Sequence, residues 1–310
     1  MTSPPRPLRF GLQASFAESP NELRELSRKA EGTGFDVLTI ADHLGIIDPF
    51  IGAAVAAEAT STLRVGTHVL NIDFHPAALL ARAAATIDLT SGGRFELGLG
   101  TGYMKAEYDA AALPFDRPGV RIGRLADTIT ILRGLFAGAT VDHDGDHRSS
   151  VAQTLTPLPP QGAHLPILVG GNGDRLLDLA ATVADIVGFT GFGWDAEAGA
   201  PALSHMSADG FDDRLARVAA HDTDPERQTL VQRVIVTDDR TASAAEVADT
   251  LPIGGPDAVI ASPFMLIGTV DEICDEIVER RERTGVSYLT VFAGRVSPEF
   301  DQVVERLAGT

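Results

Sequence analysis

The sequence predicts an α/β protein folded as a closed (β/α)8 barrel, the TIM-barrel class, with insertions in its loops. Short apolar segments alternate with amphipathic helical segments along most of the 310 residues. Eight such segments are predicted to be strands, and no linker divides the chain into two parts. Strand–helix alternation is typical of a parallel sheet covered by helices, and eight units in a chain of this length favour closure. We therefore predict one domain over residues 1–310.

The predicted strands are short and apolar, as expected for strands buried on both faces. They cover 8–12, 35–40, 63–70, 95–99, 166–169, 185–189, 230–236 and 287–292. The main predicted helices cover 48–59, 76–89, 120–136, 173–183, 211–220, 270–284 and 298–307, and another begins at Ser19-Pro20. The stretches 141–162 and 191–264 interrupt the pattern and are interpreted as insertions.

Charge and composition exclude several function classes. The chain has 25 Lys plus Arg and 43 Asp plus Glu, so its net charge is −18. This charge repels nucleic acid and anionic membranes, and neither is expected as a partner. A single cysteine excludes an intrachain disulfide and a cysteine-based zinc site. No apolar run is long enough for a membrane helix or a signal peptide, which predicts a cytoplasmic protein.

Polar residues and glycines follow several predicted strands. In a barrel, the loops after the strand C-termini form the active site, so these residues are expected at one mouth. They include Asp42-His43, His68, Thr101-Gly102 and the run 170–173 (GGNG). An Asp-His pair at a strand end is also typical of structural hydrogen bonding. The coincidence of several such elements predicts a small-molecule site.

The glycine-rich run 170–173 lies between a predicted strand and a predicted helix. Free N–H groups at a helix N-terminus suit a phosphate, although an ordinary glycine-rich turn explains the run equally well. The run Asp142–His147 contains several metal-ligand residue types but lacks the spacing of a calcium loop. We interpret it as a solvated hairpin turn and predict no metal site.

Five segments together resemble the bacterial luciferase-like superfamily of flavin- and deazaflavin-dependent oxidoreductases. They are 30–43 (AEGTGFDVLTIADH), 63–67 (LRVGT), 91–102 (SGGRFELGLGTG), 166–171 (PILVGG) and 267–273 (IGTVDEI). The resemblance implies a β/α barrel that binds FMN or the deazaflavin coenzyme F-420 at the strand C-termini. Asp42-His43 is similar to the deazaflavin branch, whereas many FMN monooxygenases have Glu-His there. The leading interpretation is an F-420-dependent oxidoreductase acting on a small organic substrate, and the alternatives are an FMN monooxygenase or a non-catalytic cofactor-binding protein.

The resemblance also implies roles for individual residues. Asp42 would bind the cofactor ring or order its neighbour, and His43 would be the proton donor or acceptor. The cofactor-binding set comprises Asp42, Thr67, His68, Val69, Thr101, Gly102, Gly170, Gly171, Asn172 and Gly173, with a cis peptide expected between His68 and Val69. Sugar-phosphate members have glutamate where this chain has Tyr103, which argues against a glucose 6-phosphate substrate.

A homodimer is the expected assembly. Members of the superfamily commonly pair through the helices after the second and third strands, here 48–59 and 76–89. Both helices are rich in alanine and carry few charges, so we expect their outer faces to be covered by a second copy. Alanine composition bias is the alternative explanation.

Overall fold

The computed structural model describes residues 5–15, 19–195, 200–202, 204–251 and 253–310. Its strands are β1 (Arg9–Ala14), β2 (Val37–Ile40), β3 (Arg64–Thr67), β4 (Leu70–Asn71), β5 (Phe95–Gly100), β6 (Val141–Asp144), β7 (Ser149–Gln153), β8 (Ile167–Gly170), β9 (Ile186–Phe189), β10 (Gly193–Asp195), β11 (Ala200–Ala202), β12 (Glu226–Val231), β13 (Arg233–Val236), β14 (Met265–Gly268) and β15 (Val286–Phe292). Its α-helices are α1 (Pro20–Thr33), α2 (Pro49–Ala59), α3 (Ala77–Thr90), α4 (Lys105–Ala110), α5 (Pro118–Phe136), α6 (Asp174–Val183), α7 (Ala208–Ala219), α8 (Arg240–Thr250), α9 (Pro256–Ala261), α10 (Val270–Thr284) and α11 (Asp301–Leu307).

Eight parallel strands close into a barrel in chain order. The order is β1, β2, β3, β5, β8, β9, β12 and β15, and β15 pairs again with β1. Pairing of β3 with β5, through Val65 opposite Phe95, completes the circle. Because all eight strands run parallel, all their C-termini meet at one mouth. The predicted (β/α)8 barrel is confirmed.

The extent of the predicted seventh strand, 230–236, is wrong. The barrel strand is β12, which ends at Val231, and the chain then leaves the barrel. The second half of the predicted segment is β13, which pairs with β14 in a separate two-stranded sheet. Between them, the Gln232 backbone N–H donates to Phe264 O at 2.8 Å. Both halves are apolar, so the pattern alone does not show the break.

Local capping signals explain where the best-predicted helices begin and end. The Ser19 side chain accepts a hydrogen bond from the Glu22 backbone N–H, and Gly34 ends α1 in the left-handed conformation. Helix α10 begins with a capping box formed by Thr269 and Glu272 and ends at a left-handed Gly285. These are the expected signals at the two ends of a helix. The bounds predicted for this helix, 270–284, are confirmed.

The apolar core lies mainly between the barrel wall and the surrounding helices. A second, much smaller apolar cluster consists of Val37, Leu168, Ile186 and Tyr288, with Val69 packed against it. Buried polar side chains on the barrel strands include Gln13, Thr39, His68, Glu96 and Gln228.

The first predicted insertion contains an antiparallel hairpin. Strands β6 and β7 pair around residues 145–148, which confirms the hairpin interpretation of the Asp142–His147 run. Among the described residues, no helix combines the length and hydropathy needed to cross a membrane.

Candidate functional site

Asp42 lies just beyond the end of β2 and fixes the segment that follows β3. Its Oδ2 accepts a hydrogen bond from the Asn71 backbone N–H at 2.9 Å and lies 2.8 Å from His75 Nε2. The ring of Phe50 packs edge-on against that histidine at 5.4 Å. The carboxylate of Asp42 therefore orders the backbone and side chain of a neighbouring loop.

The side chain of His43, unlike that of Asp42, contacts helix α4. Its Nδ1 lies 3.0 Å from Glu107 Oε1, and the same oxygen accepts the Leu44 backbone N–H at 3.1 Å. The Tyr103 ring stands edge-on to the imidazole at 5.9 Å. Burial and the Glu107 carboxylate raise the pKa of the Tyr103 hydroxyl. The predicted proton-transfer residue thus has a carboxylate partner that the sequence reasoning missed.

His68 is buried and neutral. Its Nδ1 lies 3.0 Å from Gln13 Oε1, and its Nε2 lies 3.3 Å from Gln228 Oε1. Burial lowers the pKa of the imidazole to about 4. A neutral imidazole has one N–H, so only one ring nitrogen donates and the other accepts. Turning the Gln228 amide over lets its Nε2, which has no partner as placed, donate to the second nitrogen.

Glycines at the ends of β5 and β8 make room for Val69. The peptide bond between His68 and Val69 is cis, as predicted. A Cβ on Gly100 would lie 2.6 Å from Val69 Cγ2, and one on Gly170 would lie 2.9 Å from Val69 Cγ1. These contacts are closer than side-chain carbons tolerate, so the two glycines are explained by the close approach of the segment after β3.

The Thr67 hydroxyl ties β3 to β5. It accepts a hydrogen bond from the Gly98 backbone N–H and donates to Gly98 O, both at 2.9 Å. A Cβ on Gly98 would lie only 1.9 Å from Thr67 O. The hydroxyl of Thr67 is therefore used in hydrogen bonds to β5. Thr67 would support a cofactor by fixing the barrel wall beneath it.

The turn at Thr101 and Gly102 is held by two buried side chains. Arg121 donates to Thr101 O at 3.0 Å and also to Gly102 O. The Tyr108 hydroxyl lies 3.2 Å from Thr101 O and 3.0 Å from Asn71 Oδ1. Burial, together with the Asp73 carboxylate, raises the pKa of Tyr108 to about 12, so this hydroxyl stays protonated. The carbonyl groups of this turn are thus held by Arg121 and Tyr108.

The glycine-rich loop after β8 has free backbone N–H groups. They belong to residues 172–175, whereas the sequence predicted them at residues 170–173. The Gly171 N–H donates to Gly188 O at 3.0 Å and is not available to a ligand. The N–H groups of residues 172–175, by contrast, donate to no other described residue. They lie at the start of α6, whose N-cap is Gly173. Four such donors at a helix N-terminus fit a phosphate group.

The same loop carries a buried acceptor without a partner. Asn172 Nδ2 donates to Thr190 Oγ1 at 3.0 Å and to Phe192 O at 2.8 Å, which fixes the orientation of the amide. Its Oδ1 is buried and contacts no donor among the described residues. The loop therefore offers donors to a phosphate and an acceptor to a hydroxyl, which is the combination that a flavin-type cofactor with its sugar-alcohol chain and phosphate requires.

A family model described as luciferase-like monooxygenase matches residues 4–288. The chain belongs to this family. The predicted resemblance is therefore confirmed, and the luciferase-like barrel gives the arrangement of loops described above.

Relatives of this luciferase-like chain include deazaflavin enzymes. The F-420-dependent glucose-6-phosphate dehydrogenase of Microbacterium testaceum is 34% identical over 192 residues, covering 58% of this chain and 55% of that protein. The 5,10-methylenetetrahydromethanopterin reductase of Methanolobus tindarius is 30% identical over 176 residues, covering 57% and 52%. The chain thus matches about half the length of these curated relatives. The solved coenzyme F-420-dependent tetrahydromethanopterin reductase of Methanopyrus kandleri has the same fold, with a TM-score of 0.77, 18% identity and 96% coverage of both chains.

The predicted site residues of this luciferase-like protein form one connected group at the barrel mouth, with two exceptions. Asp42, the segment 67–71, the turn 101–102 and Gly170 are linked by the contacts described above. His43 is joined to Glu107 on α4 instead, and residues 172–173 lie farther along the loop after β8. The residues that sequence reasoning missed are Glu107, Tyr108, Arg121 and Gln228. No signal in the sequence indicated Glu107, which lies on the short helix α4 after the turn at 101–102.

Proposed function

We propose that this protein is an F-420-dependent oxidoreductase that transfers hydride between the deazaflavin and a small organic substrate. The observation that carries the proposal is the contact between His43 and Glu107 at the mouth of a luciferase-like barrel. Hydride transfer to or from an alcohol or carbonyl needs a matching proton acceptor or donor, and this pair supplies one. The name of the F-420-dependent curated relative favours the deazaflavin over FMN.

His43 is proposed to hold the reacting proton at Nε2. With Glu107 accepting from Nδ1–H, the neutral imidazole leaves Nε2 as an acceptor, and the protonated ring makes it a donor. No described residue lies within hydrogen-bond distance of that nitrogen, so it is available to a substrate. Glu107 is a positioning residue that fixes the tautomer and stabilises the imidazolium.

The cofactor would be held by the loops of the mouth. The N–H groups of residues 172–175 would bind its phosphate, and Asn172 Oδ1 would accept from a hydroxyl. The segment 67–69, backed by Gly98, Gly100 and Gly170, would support the ring. Asp42 would act through the Asn71 segment that it anchors. When bound, the deazaflavin supplies the two-electron redox chemistry at its carbon 5, and the protein supplies position and proton transfer.

The substrate class stays open between alcohols, carbonyl compounds and sugar phosphates. Tyr103 replaces the glutamate of the sugar-phosphate enzymes, which argued against glucose 6-phosphate. Glu107, however, brings a carboxylate to His43 from helix α4, four residues further along the chain. The loss of an acid at position 103 therefore does not remove a carboxylate from this part of the site.

Turnover with F-420 and a panel of these substrates tests the proposal, with the visible absorbance of the oxidised cofactor as the readout. We expect His43→Gln to lower kcat by about 10²- to 10⁴-fold, the usual contribution of a general acid or base. Glu107→Gln should lower kcat by a smaller factor, because the imidazole remains. Tyr103→Phe is the matched control, since it keeps the ring beside His43. Cofactor binding should survive in all three variants.

Three results would contradict this function. Full kcat in His43→Gln would exclude the proposed proton transfer. Cofactor binding without turnover of any panel member would favour a non-catalytic binding protein, and oxygen-dependent product formation with reduced FMN would favour the monooxygenase alternative.

We also propose that two copies pair through the outer faces of α2 and α3. Most of the alanines that suggested this are buried against the barrel instead; Ala84, for example, is fully buried. The remaining support comes from large apolar side chains on the same two helices, because Ile51 is 66% exposed and Leu79 is 50% exposed. Ile51→Arg with Leu79→Arg should shift a sedimenting dimer to monomer, and an unchanged dimer would place the interface elsewhere.

A further inference from the structure

A cavity of about 640 Å³ lies between the N-terminal ends of α5 and α6. We call it the α5–α6 groove. Its lining includes Arg117 and Gly119 on the α5 side, Gly173, Asp174 and Arg175 on the α6 side, and His147 from the hairpin of the first insertion. Gly173 also belongs to the loop with free N–H groups. The groove therefore begins where the proposed phosphate position ends.

Two arginines of the groove have no acidic partner. Among the described residues, neither Arg117 nor Arg175 forms an ion pair or donates a side-chain hydrogen bond.

The acids nearest to these arginines in the chain are engaged elsewhere. Asp116 pairs with Arg124. Asp174 pairs with Arg214 at 2.9 Å and with Arg217 at 3.2 Å. The two groove arginines are therefore left without compensation by their own neighbours.

The position of these arginines is also unfavourable for the helices. Arg117 is the N-cap residue of α5, and Arg175 is the second residue of α6. Cations stabilise the C-terminal end of a helix and destabilise the N-terminal end. In addition, the Arg175 guanidinium reaches across the groove, since its Nη1 lies 3.3 Å from the position that a Cβ on Gly119 would take. An anion bound between the two guanidinium groups would offset this charge.

We infer that the α5–α6 groove binds a flexible polycarboxylate, the glutamate tail that coenzyme F-420 carries beyond its phosphate. This inference rests on the proposed function, because it takes the phosphate to lie at residues 172–175. Guanidinium groups bind carboxylates through two parallel hydrogen bonds, and the two arginines stand on opposite walls. FMN ends at its phosphate and leaves the groove unused, so the groove also discriminates between the two cofactors.

The test compares the affinity of the protein for F-420 with its affinity for the same deazaflavin phosphate without glutamates, by fluorescence titration. We expect Arg117→Glu, a change outside the 172–175 phosphate loop, to weaken binding of F-420 about fivefold or more at low salt. Its affinity for the tailless form should stay within about twofold of wild type. The difference should shrink as salt is raised, because both arginines are exposed. Arg28→Glu, a change at another exposed arginine without an ion pair, is the control for overall charge.

Each other outcome overturns the inference. Equal loss for both ligands would mean that the arginines act on the phosphate or on the fold, and an equal loss in Arg28→Glu would mean a general effect of charge. Unchanged affinity for F-420 in Arg117→Glu would remove the groove from the binding site. If the charge reversal impairs folding, Arg117→Gln gives the same comparison. Failure of wild-type protein to bind either ligand would instead refute the proposed function, and the groove assignment with it.

Discussion

The two ends of the barrel differ in how completely their buried polar groups are paired. At the N-terminal end, Arg9 contacts Glu96 and lies 2.7 Å from Glu226, and Arg64 lies 2.6 Å from Glu96. Burial alone would lower the pKa of the Arg9 guanidinium, but the two carboxylates outweigh it and hold the pKa above its usual range. The Arg9 guanidinium also stacks on the Tyr288 ring, 4.6 Å from its centroid. Apart from the buried Arg227 Nε, which has no partner among the described residues, the charged groups named here are paired with one another.

At the C-terminal mouth, several groups have no partner among the described residues. They are the buried Thr39 hydroxyl and Asn172 Oδ1, together with the N–H groups of residues 172–175. Groups buried without partners cost free energy, which a protein tolerates where a ligand supplies the missing hydrogen bonds. The N-terminal end of the barrel therefore maintains the fold, whereas the C-terminal mouth keeps unpaired polar groups that a ligand can bind, at a cost in stability.

The largest expected effect comes from breaking the paired end. Glu96→Gln leaves Arg64 without its carboxylate and weakens the pairing of Arg9, so we expect a loss of about 3 kcal/mol in the free energy of unfolding. Asp271→Asn, which removes the partner of Arg306 in an exposed ion pair, should cost no more than about 0.5 kcal/mol. Denaturant unfolding measures both. Because Glu96 lies at the end of the barrel away from the mouth, cofactor affinity should not change. A loss of affinity larger than the loss of stability would contradict the division between the two ends.

The acid sensitivity of His68 gives the next effect. Its pKa is about 4 when folded and about 6.5 when unfolded, so the unfolded chain binds more protons between these values. Stability from this group is complete above pH 6.5 and falls as pH decreases toward 4. Between pH 7.5 and pH 5 the loss is about 2 kcal/mol. His68→Gln should reduce the pH dependence by this amount, whatever its effect on stability at pH 7.5. An unchanged pH slope would mean that His68 is not buried in its neutral form.

The smallest effect concerns the phosphate loop at the mouth. Gly173 has an extended backbone with φ −71° and ψ 140°, which any residue adopts, and open space where a Cβ would lie, so Gly173→Ala should fold and bind cofactor normally. Gly173→Asp adds a negative charge at the free N–H groups and should weaken cofactor binding by roughly tenfold. Gly171 is unsuitable for this test, since its φ is +153° and a Cβ there would lie 2.3 Å from Leu176 Cδ2. Equal affinities in the alanine and aspartate variants would move the phosphate to another position.

Sequence reasoning predicted the barrel well because each unit carries its own local signals. Helix α10 has a capping box and a terminal glycine, and the apolar strands are punctuated by polar loops. The seventh strand was misjudged because β12 and β13 are both apolar, and only tertiary pairing separates them. Helices α8 and α9 lie in the stretch interpreted as an insertion, where no clear apolar period marks them.

The candidate site was predicted in outline and not in its contacts. The strand-end positions of Asp42, His43 and His68 follow from the barrel itself. The partner of each depends on side chains far along the chain: Glu107 for His43, and Gln228, which is 160 residues away, for His68. Pairings over such separations depend on the closed barrel and have no periodic pattern in the sequence. The position of the free N–H groups depended on one hydrogen bond, from Gly171 to Gly188, that the glycine run does not show.

The central claim is that the unpaired groups at the mouth form a site for coenzyme F-420. Parallel titration of the apoprotein with F-420 and with FMN, followed by fluorescence, tests it most directly. We predict saturable binding of F-420 in the micromolar range or tighter, at one site per chain, and FMN binding weaker by at least tenfold. Binding of FMN as tight as or tighter than that of F-420, or saturation by neither cofactor, would contradict the account.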